Sequence, residues 1–312
     1  MREKCYAIGV DIGGTNIKIG LFLAEGRLLS KWEFPTDISD SGVNILPSIR
    51  EFISLNLGDI EKDKIIGIGV GVPGPVDFNG TVFGCVNLGW GEKNIKEELT
   101  NLLKLPVKVE NDANLAALGE MWQGAGKDYK NLALITIGTG IGGGIVANGK
   151  ILSGRNGGSG EIGHLTIRID EKELCSCGKT GCVEQYGSAT AMVKIAKDRI
   201  EKIDGIKTDL FAEGLTAKTI FEEAKKRDLL ALEIVEEMGK AIGMALSHVA
   251  GIFAPDIILV GGGVAKAGTI VIDAIQKYYE KYVFYVAKDA PIKLGSLGND
   301  AGIYGGTKMV ID

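Results

Sequence analysis

Several features that mark other protein classes are missing from this chain of 312 residues. No stretch reaches the roughly 18 uninterrupted apolar residues of a membrane-spanning helix. The chain begins MREKCYAIGVDIGG, where the apolar run before the glycines is too short for the core of a secretory signal peptide. We therefore expect no membrane partner and predict a cytoplasmic protein.

An excess of positive charge is missing as well. Lys and Arg number 35 against 40 for Asp and Glu, so the formal net charge is −5. No basic stripe is visible that could neutralise phosphates, and we expect no nucleic-acid partner. The hydrophobic fraction of 45% and the charged fraction of 24% describe a globular protein with apolar material for one large or two medium domains.

Cysteine and histidine are scarce, but four of the seven occur in one region. Cys175, Cys177 and Cys182 fall within eight residues, and His164 precedes them. Three thiolates and one imidazole form the closed tetrahedral set of a structural zinc site. A reduced surface loop that happens to contain cysteines is the alternative. His248 lies in an apolar, helix-like run, which favours a core position.

Glycine, in contrast, is abundant, with 46 copies that follow apolar runs at a few places. Residues 11–15 (DIGGT) form the first glycine turn, where backbone N–H groups and Thr15 could bind phosphate and Asp11 could hold the magnesium of a nucleotide. A plain hairpin turn would use the same glycines. Residues 138–144 hold five glycines, each of which weakens a strand by about 0.5–1 kcal/mol relative to alanine. A phosphate contact would explain that cost.

The hydrophobic pattern predicts strands that alternate with helices in two related series. The first series begins with the strand CYAIGVDIGG and the hairpin NIKIGLFLAEGRLLSKWEF, whose turn is at Glu25 and Gly26. It continues with a helix over about 43–57 and the strand KIIGIGVGVPGPVD, which breaks at Pro73. It ends with a helix over about 94–104, the strand LPVKVEND and the helix DANLAALGEMW. The second is NLALITIGTGIGGGIVANGKIL as strand, turn, strand and hairpin, a helix-rich stretch over about 188–253, the strand PDIILV before glycines 261–263, a helix over about 268–282 and a terminal helix after Asn299.

The two series resemble each other, because residues 11–29 align with residues 136–152 and the later strands follow in the same order. This similarity predicts duplicated α/β domains that face each other across a cleft, with partly parallel sheets covered on both faces. Asp112 would begin a helix beyond a strand, where it is either a simple N-cap or a functional carboxylate. Glu161 and Glu184 flank the zinc motif and could accept hydrogen bonds from a polyol, or could simply be solvated.

Together these motifs resemble the ROK family of bacterial sugar kinases over nearly the whole chain, and its glucokinases most. The matching stretches are DIGGTNIK, GVPGPVD, ENDANLAALGE, ITIGTGIGGGI, GEIGH, CSCGKTGCVEQYGS and LVGGG. The resemblance implies a hexokinase/actin-like (ribonuclease H-like) α/β fold with a hinged cleft between two domains. We predict a small domain over 1–112, on which a C-terminal helix at 299–312 packs, and a larger domain over 113–298 with a zinc-binding insert at 164–186.

The resemblance also implies ATP-dependent phosphorylation of a hexose at its C6 hydroxyl, with glucose as the predicted sugar and Mg²⁺ and structural Zn²⁺ as cofactors. It makes Asp112 the general base. The other implied sugar ligands are Asn87, Asn111, Glu161, His164 and Glu184; the implied ATP and magnesium residues are Asp11, Gly13, Gly14, Thr15, Lys18, Thr139, Gly140, Gly261, Gly262 and Gly263; and the implied zinc ligands are His164, Cys175, Cys177 and Cys182.

Several alternatives stay open from the sequence. The sugar could be N-acetylmannosamine, N-acetylglucosamine or fructose, the donor could be polyphosphate, or the chain could be a sugar-sensing regulator without catalysis. Family members that repress transcription carry an N-terminal helix-turn-helix; because ten residues precede Asp11, we expect none here. The family also suggests a homodimer or homotetramer.

Overall fold

Strands and helices alternate along the computed structural model, which describes residues 5–58, 60–202, 208–210 and 214–312. The strands are β1 (Tyr6–Ile12), β2 (Asn16–Leu23), β3 (Leu28–Pro35), β4 (Ile65–Val72), β5 (Thr81–Val82), β6 (Lys93–Asn94), β7 (Val107–Asn111), β8 (Leu132–Ile137), β9 (Ile141–Ala147), β10 (Lys150–Ile151), β11 (Ile257–Gly261) and β12 (Ile292–Leu294). The helices are α1 (Ser39–Gly42, one irregular turn), α2 (Ile45–Asn56), α3 (Ile95–Leu103), α4 (Asp112–Gln123), α5 (Glu184–Gly187), α6 (Ala189–Lys202), α7 (Ala217–Lys225), α8 (Leu229–Phe253), α9 (Thr269–Tyr282) and α10 (Ala301–Ile311).

The chain forms two units, and its longer strands form two five-stranded sheets. Unit 1 comprises Met1–Lys130, Gly144–Gly160 and Ser296–Asp312, and unit 2 comprises Asn131–Gly143 and Glu161–Gly295. The sheet orders are β3-β2-β1-β4-β7 and β10-β9-β8-β11-β12, so each position of one has a counterpart in the other. The predicted internal duplication is confirmed by this shared order.

In unit 1 the antiparallel strands β1, β2 and β3 continue into β4 and β7, which run parallel to β1. The predicted hairpin turn is present, and Gly26 has a φ of 100°, which glycine adopts without strain. Strand β4 ends at Val72, directly before the predicted break at Pro73. Alternating apolar residues of these strands pack with α2 and α3 in one buried core.

Helix α10 packs against β1, β4 and α4 in unit 1 through glycines that leave no room for a side chain. A Cβ atom on Gly305 would lie 1.8 Å from the carbonyl oxygen of Leu115, and one on Gly119 would lie 2.2 Å from that of Ala301. This packing holds α4 to unit 1. The units therefore differ in extent from the predicted domains, because residues 113–130 and 144–160 group with unit 1 and not with the later segment.

In unit 2, β11 runs parallel to both β8 and β12, and the long helix α8 packs against α9 over a second core. The predicted helix-rich stretch contains α6, α7 and α8, whereas its parts at 203–207 and 211–213 lie outside the described residues. Within the described ranges, no helix combines the length and the apolar character needed to cross a membrane.

Candidate active site

The first glycine turn joins β1 and β2 in unit 1 and places Asp11 beside Lys18 on the neighbouring strand. Burial raises the pKa of Asp11 to about 6, although Lys18 acts in the opposite direction. The Asp11 carboxylate lies against the first turn of α10, since a Cβ atom on Gly302 would be 2.9 Å from its Cγ. Lys18 Nζ donates to the carbonyl of Asn299 at 2.8 Å, so part of its donor capacity is used within unit 1.

The start of α4 corrects one sequence-based expectation. Asn111, and not Asp112, is the N-cap, because its side chain accepts hydrogen bonds from the backbone N–H groups of Ala113 and Asn114. Both residue types suit a cap, so the sequence alone could not choose between them. Asp112 is the first residue of the helix, and the cap on the preceding residue fixes where its backbone lies.

Glu110 supports this segment and was not singled out from the sequence. It is buried, and its carboxylate accepts from the backbone N–H of Asn111 at 2.9 Å, from Asn114 Nδ2 at 3.1 Å and from Ser153 Oγ at 2.5 Å. The signal that could have indicated it is a carboxylate on a buried strand, since a buried acid needs partners. Glu110 thus connects β7, α4 and the segment after β10.

Asn87 lies on a short 3₁₀ turn, Val86–Leu88, next to the first glycine turn. A Cβ atom on Gly14 would be 3.6 Å from the Cβ of Asn87. The neighbouring thiol of Cys85 has its pKa raised by burial and, to a smaller extent, by the charge of Asp112. Unit 1 therefore brings the first glycine turn, Asn87 and Asp112 into one neighbourhood.

The three cysteines and the histidine of the zinc motif converge in unit 2. Their ligand atoms all lie within 4.8 Å of one another, with 3.6 Å between the sulfurs of Cys177 and Cys182 and 3.7 Å from Cys175 Sγ to His164 Nδ1. Tetrahedral coordination with Zn–S bonds of about 2.3 Å requires a sulfur–sulfur distance of about 3.8 Å. The donor set and its spacing therefore fit a zinc ion.

Two carboxylates lie near this cluster. Burial raises the pKa of Glu161, with His164 lowering it and Glu184 raising it, so all three groups are close enough to interact. Glu184 Oε2 accepts from the backbone N–H of Ile141 at 2.9 Å, and its Oε1 accepts from Ser176 Oγ at 3.0 Å. Ser176 is a second residue that the sequence analysis missed, and nothing in its local pattern distinguishes it from a solvated loop serine.

The second and third glycine turns border a cavity of about 690 Å³ within unit 2. Gly262 packs against the end of β8, where a Cβ atom would lie 2.4 Å from the carbonyl oxygen of Ile137. The cavity has a largely apolar wall that also includes charged side chains. Its lining residues are Gly138, Thr139, Ala189, Thr216, Ala217, Lys218, Phe221, Glu222, Lys225, Gly263, Val264, Lys266 and Ala267.

The predicted site residues thus fall into one set in each unit. Unit 1 carries Asp11, Gly13, Gly14, Thr15, Lys18, Asn87, Asn111 and Asp112. Unit 2 carries Thr139, Gly140, Glu161, His164, Cys175, Cys177, Cys182, Glu184, Gly261, Gly262 and Gly263.

Solved structures of ROK family proteins share the fold of this chain. A ROK family glucokinase from Streptomyces griseus, solved in complex with glucose and AMPPNP, matches with a TM-score of 0.80 and 35% identity over 97% of this chain and 98% of that one. A ROK family transcriptional regulator, a homologue of the E. coli MLC protein, matches with a TM-score of 0.87 and 27% identity over 98% of this chain but 78% of that one. The predicted actin-like sugar-kinase fold is confirmed.

The sequence comparisons define the family. The sequence model of the ROK family matches residues 7–312. A glucokinase from Halalkalibacterium halodurans is 43% identical over 99% of this chain and 96% of its own length. The chain belongs to the ROK family.

Proposed function

We propose that this protein phosphorylates a hexose, with glucose as the substrate and ATP as the donor, at the C6 hydroxyl. The observation that carries the proposal is the position of Asp112, fixed at the start of α4 by the Asn111 cap and the buried Glu110. The glucokinase relative at 43% identity and the glucose-bound, AMPPNP-bound structure at 35% identity support glucose and ATP as the ligands.

In this proposal Asp112 is the general base. Phosphoryl transfer passes through a loose transition state, so positioning and charge neutralisation supply most of the catalysis. A carboxylate is too weak a base to ionise an alcohol in its ground state. Asp112 therefore orients the hydroxyl and accepts its proton late, as the oxygen is acidified by attack, which contributes roughly 10²–10⁴-fold.

The glycine turns bind the nucleotide. Thr139, Gly140 and glycines 261–263 would hold the donor, and the apolar wall of the cavity in unit 2 suits an adenine ring. Gly13, Gly14 and Thr15 would contact phosphate in unit 1. Asp11 provides hard carboxylate oxygen of the kind that Mg²⁺ prefers, held directly or through water. A cation there would neutralise phosphate charge and favour the ionised form of this buried acid.

The sugar ligands are Asn87, Asn111 and Asp112 in unit 1 and Glu161, His164 and Glu184 in unit 2. Carboxylate and amide oxygens accept hydrogen bonds from hydroxyls, as recognition of a polyol requires. His164 presents Nδ1 to the thiols, which leaves Nε2 for the sugar. We further propose a cytoplasmic location and a homodimer or homotetramer.

The decisive experiment is a coupled ADP-release assay with a panel of hexoses. We expect glucose to give the highest kcat/KM, with N-acetylmannosamine, N-acetylglucosamine and fructose well below it. A higher value for one of those sugars would reassign the substrate. Phosphorylation of glucose with polyphosphate in place of ATP would reassign the donor. Sugar binding without ADP release would contradict catalysis and favour a sensor.

The proposed zinc site has its own test. Cys177→Ser removes one of four ligands, so the variant should lose its zinc, unfold at a lower temperature and bind glucose more weakly. Metal analysis, thermal unfolding and calorimetry measure the three effects. Cys5→Ser, at an exposed cysteine remote in sequence from the motif, is the control and should retain all three properties. Purified wild-type protein without zinc would refute the site.

A further inference from the structure

Ser176 lies between Cys175 and Cys177 in the proposed zinc loop, residues 175–182. It contacts Glu184, which follows that loop. Its hydroxyl donates to Glu184 Oε1 at 3.0 Å, and its Oγ also lies 3.7 Å from Cys175 Sγ. Ser176 itself supplies no ligand to the cluster, whose members are His164 and the three cysteines. The serine therefore has a partner that its position within a metal-binding motif does not explain.

The other oxygen of Glu184 reaches the second glycine turn. Oε2 accepts from the N–H of Ile141, the first residue of β9. The approach is close enough that a Cβ atom on Gly140 would lie 2.4 Å from Oε2. The turn is also closed by a hydrogen bond from Gly138 N to the carbonyl of Gly140 at 2.9 Å. One carboxylate thus connects the zinc loop with the backbone of the proposed phosphate-binding turn.

We propose that Ser176 is a positioning residue, which holds Glu184 in the orientation that fixes the Ile141 amide and with it the second glycine turn. Each oxygen of the carboxylate has one of these two donors, so the orientation of the carboxylate is set from both ends. Without the serine hydroxyl, Glu184 is free to rotate about its terminal torsion, which has a broad preference. The inference rests on the proposed kinase function for the identity of the two ligands, glucose and ATP. The mobility of the second glycine turn can be measured without assuming that function.

The consequence is that one hydroxyl affects both substrates. Glu184 is a proposed sugar ligand, and Thr139 and Gly140 are proposed nucleotide ligands on the turn that it holds. Ser176→Ala should therefore raise KM for glucose and KM for ATP together, each by about three- to tenfold, the factor that corresponds to one lost hydrogen bond. The value of kcat should change much less, because Asp112 and its cap lie in unit 1 and are untouched.

The test compares wild type with Ser176→Ala, Ser176→Thr and Lys179→Ala. Threonine keeps the hydroxyl and should restore both KM values. Lys179 is an exposed residue of the same loop, so its truncation controls for any general effect of altering the loop. Zinc content is measured for every variant and should be unchanged. Hydrogen exchange of the peptide amides over 138–143, followed by mass spectrometry, reports directly on the Ile141 amide and should be faster in Ser176→Ala alone.

The outcomes separate this inference from the proposed function. If no hexose is phosphorylated by wild type but exchange at 138–143 accelerates in Ser176→Ala, the kinase proposal fails and the positioning role stands. Wild-type KM values and wild-type exchange in a zinc-loaded Ser176→Ala protein would overturn the positioning role. Loss of zinc from that variant would overturn it too, because the effect would then run through the metal.

Discussion

At residues 111 and 112, two adjacent polar side chains that both suit a helix cap have different structural roles. Asn111 caps α4, whereas Asp112 is the first residue of the helix and its Oδ1 accepts from the backbone N–H of Ala113 at 2.7 Å. Asp112→Asn should lower kcat by roughly 10²–10⁴ while sugar affinity and unfolding temperature stay near wild type. Asn111→Ala should instead cost about 1 kcal/mol of stability through loss of the cap. Steady-state kinetics and thermal unfolding of both variants measure the difference; near-normal kcat in Asp112→Asn would refute the base.

Asp11 shows a conflict between stability and proposed function. Its pKa is about 6 in the folded protein against an ordinary 3.8, because burial disfavours the charge. The unfolded chain therefore loses its proton first as pH rises. The free energy of unfolding should fall between pH 3.8 and about 6, by as much as about 3 kcal/mol from this group, and level off above that range.

Asp11→Asn removes this dependence, so the variant should be more stable than wild type above pH 6 and should lose magnesium-dependent turnover. Urea unfolding across this pH range measures the difference in stability. Asp128→Asn, at an exposed acid, is the control and should follow wild type. If the difference in the free energy of unfolding between wild type and Asp11→Asn did not change with pH, it could not come from burial of the Asp11 charge.

The sequence indicated some residues of the candidate site and missed others, and the difference has a physical reason. The cluster of His164 and three cysteines was identifiable because four scarce, chemically specific side chains lie within 19 consecutive residues, 164–182. Glu110 and Ser176 were not, because their roles depend on partners 43 and eight residues away in the chain. No local pattern records such a contact.

At the scale of elements, glycine packing fixes α10 against its neighbours. Gly305→Ala would place a methyl group against the Leu115 carbonyl and should destabilise the protein by about 1–3 kcal/mol or more. Gly251→Ala is the matched control in the helix α8, where the space around the new Cβ is open. It should stabilise by about 0.5–1 kcal/mol, since alanine favours the helix. Chemical unfolding measures both, and equal effects of one sign would contradict the packing argument.

The strands and helices themselves were largely predictable. The hairpin of β2 and β3 and the end of β4 before Pro73 follow from apolar periodicity and turn residues. The alignment of 11–29 with 136–152 predicted an internal duplication, with which the shared sheet order agrees. The extent of the units was not predictable, because α4 remains with unit 1 through contacts with α10, nearly 190 residues later in the chain.

At the scale of the whole molecule, neither unit is a continuous segment. The chain passes from one unit to the other after Lys130, Gly143, Gly160 and Gly295. Unit 1 is therefore completed only when Ser296–Asp312 is present. The buried Glu120 shows this dependence, since its carboxylate accepts from the backbone N–H groups of Ala125, Ser296 and Leu297.

A chain that ends at Gly295 should consequently fail to form unit 1. It would lack α10, whose Ile303 and Thr307 are fully buried, and would leave Glu120 with a single backbone donor of the three. All three tryptophans, Trp32, Trp90 and Trp122, belong to unit 1, so their fluorescence reports on that unit alone. We expect no cooperative fluorescence transition in urea for the truncated chain, whereas a chain that lacks only Asp312 should unfold like wild type. A wild-type transition in the truncated chain would mean that unit 1 folds without α10.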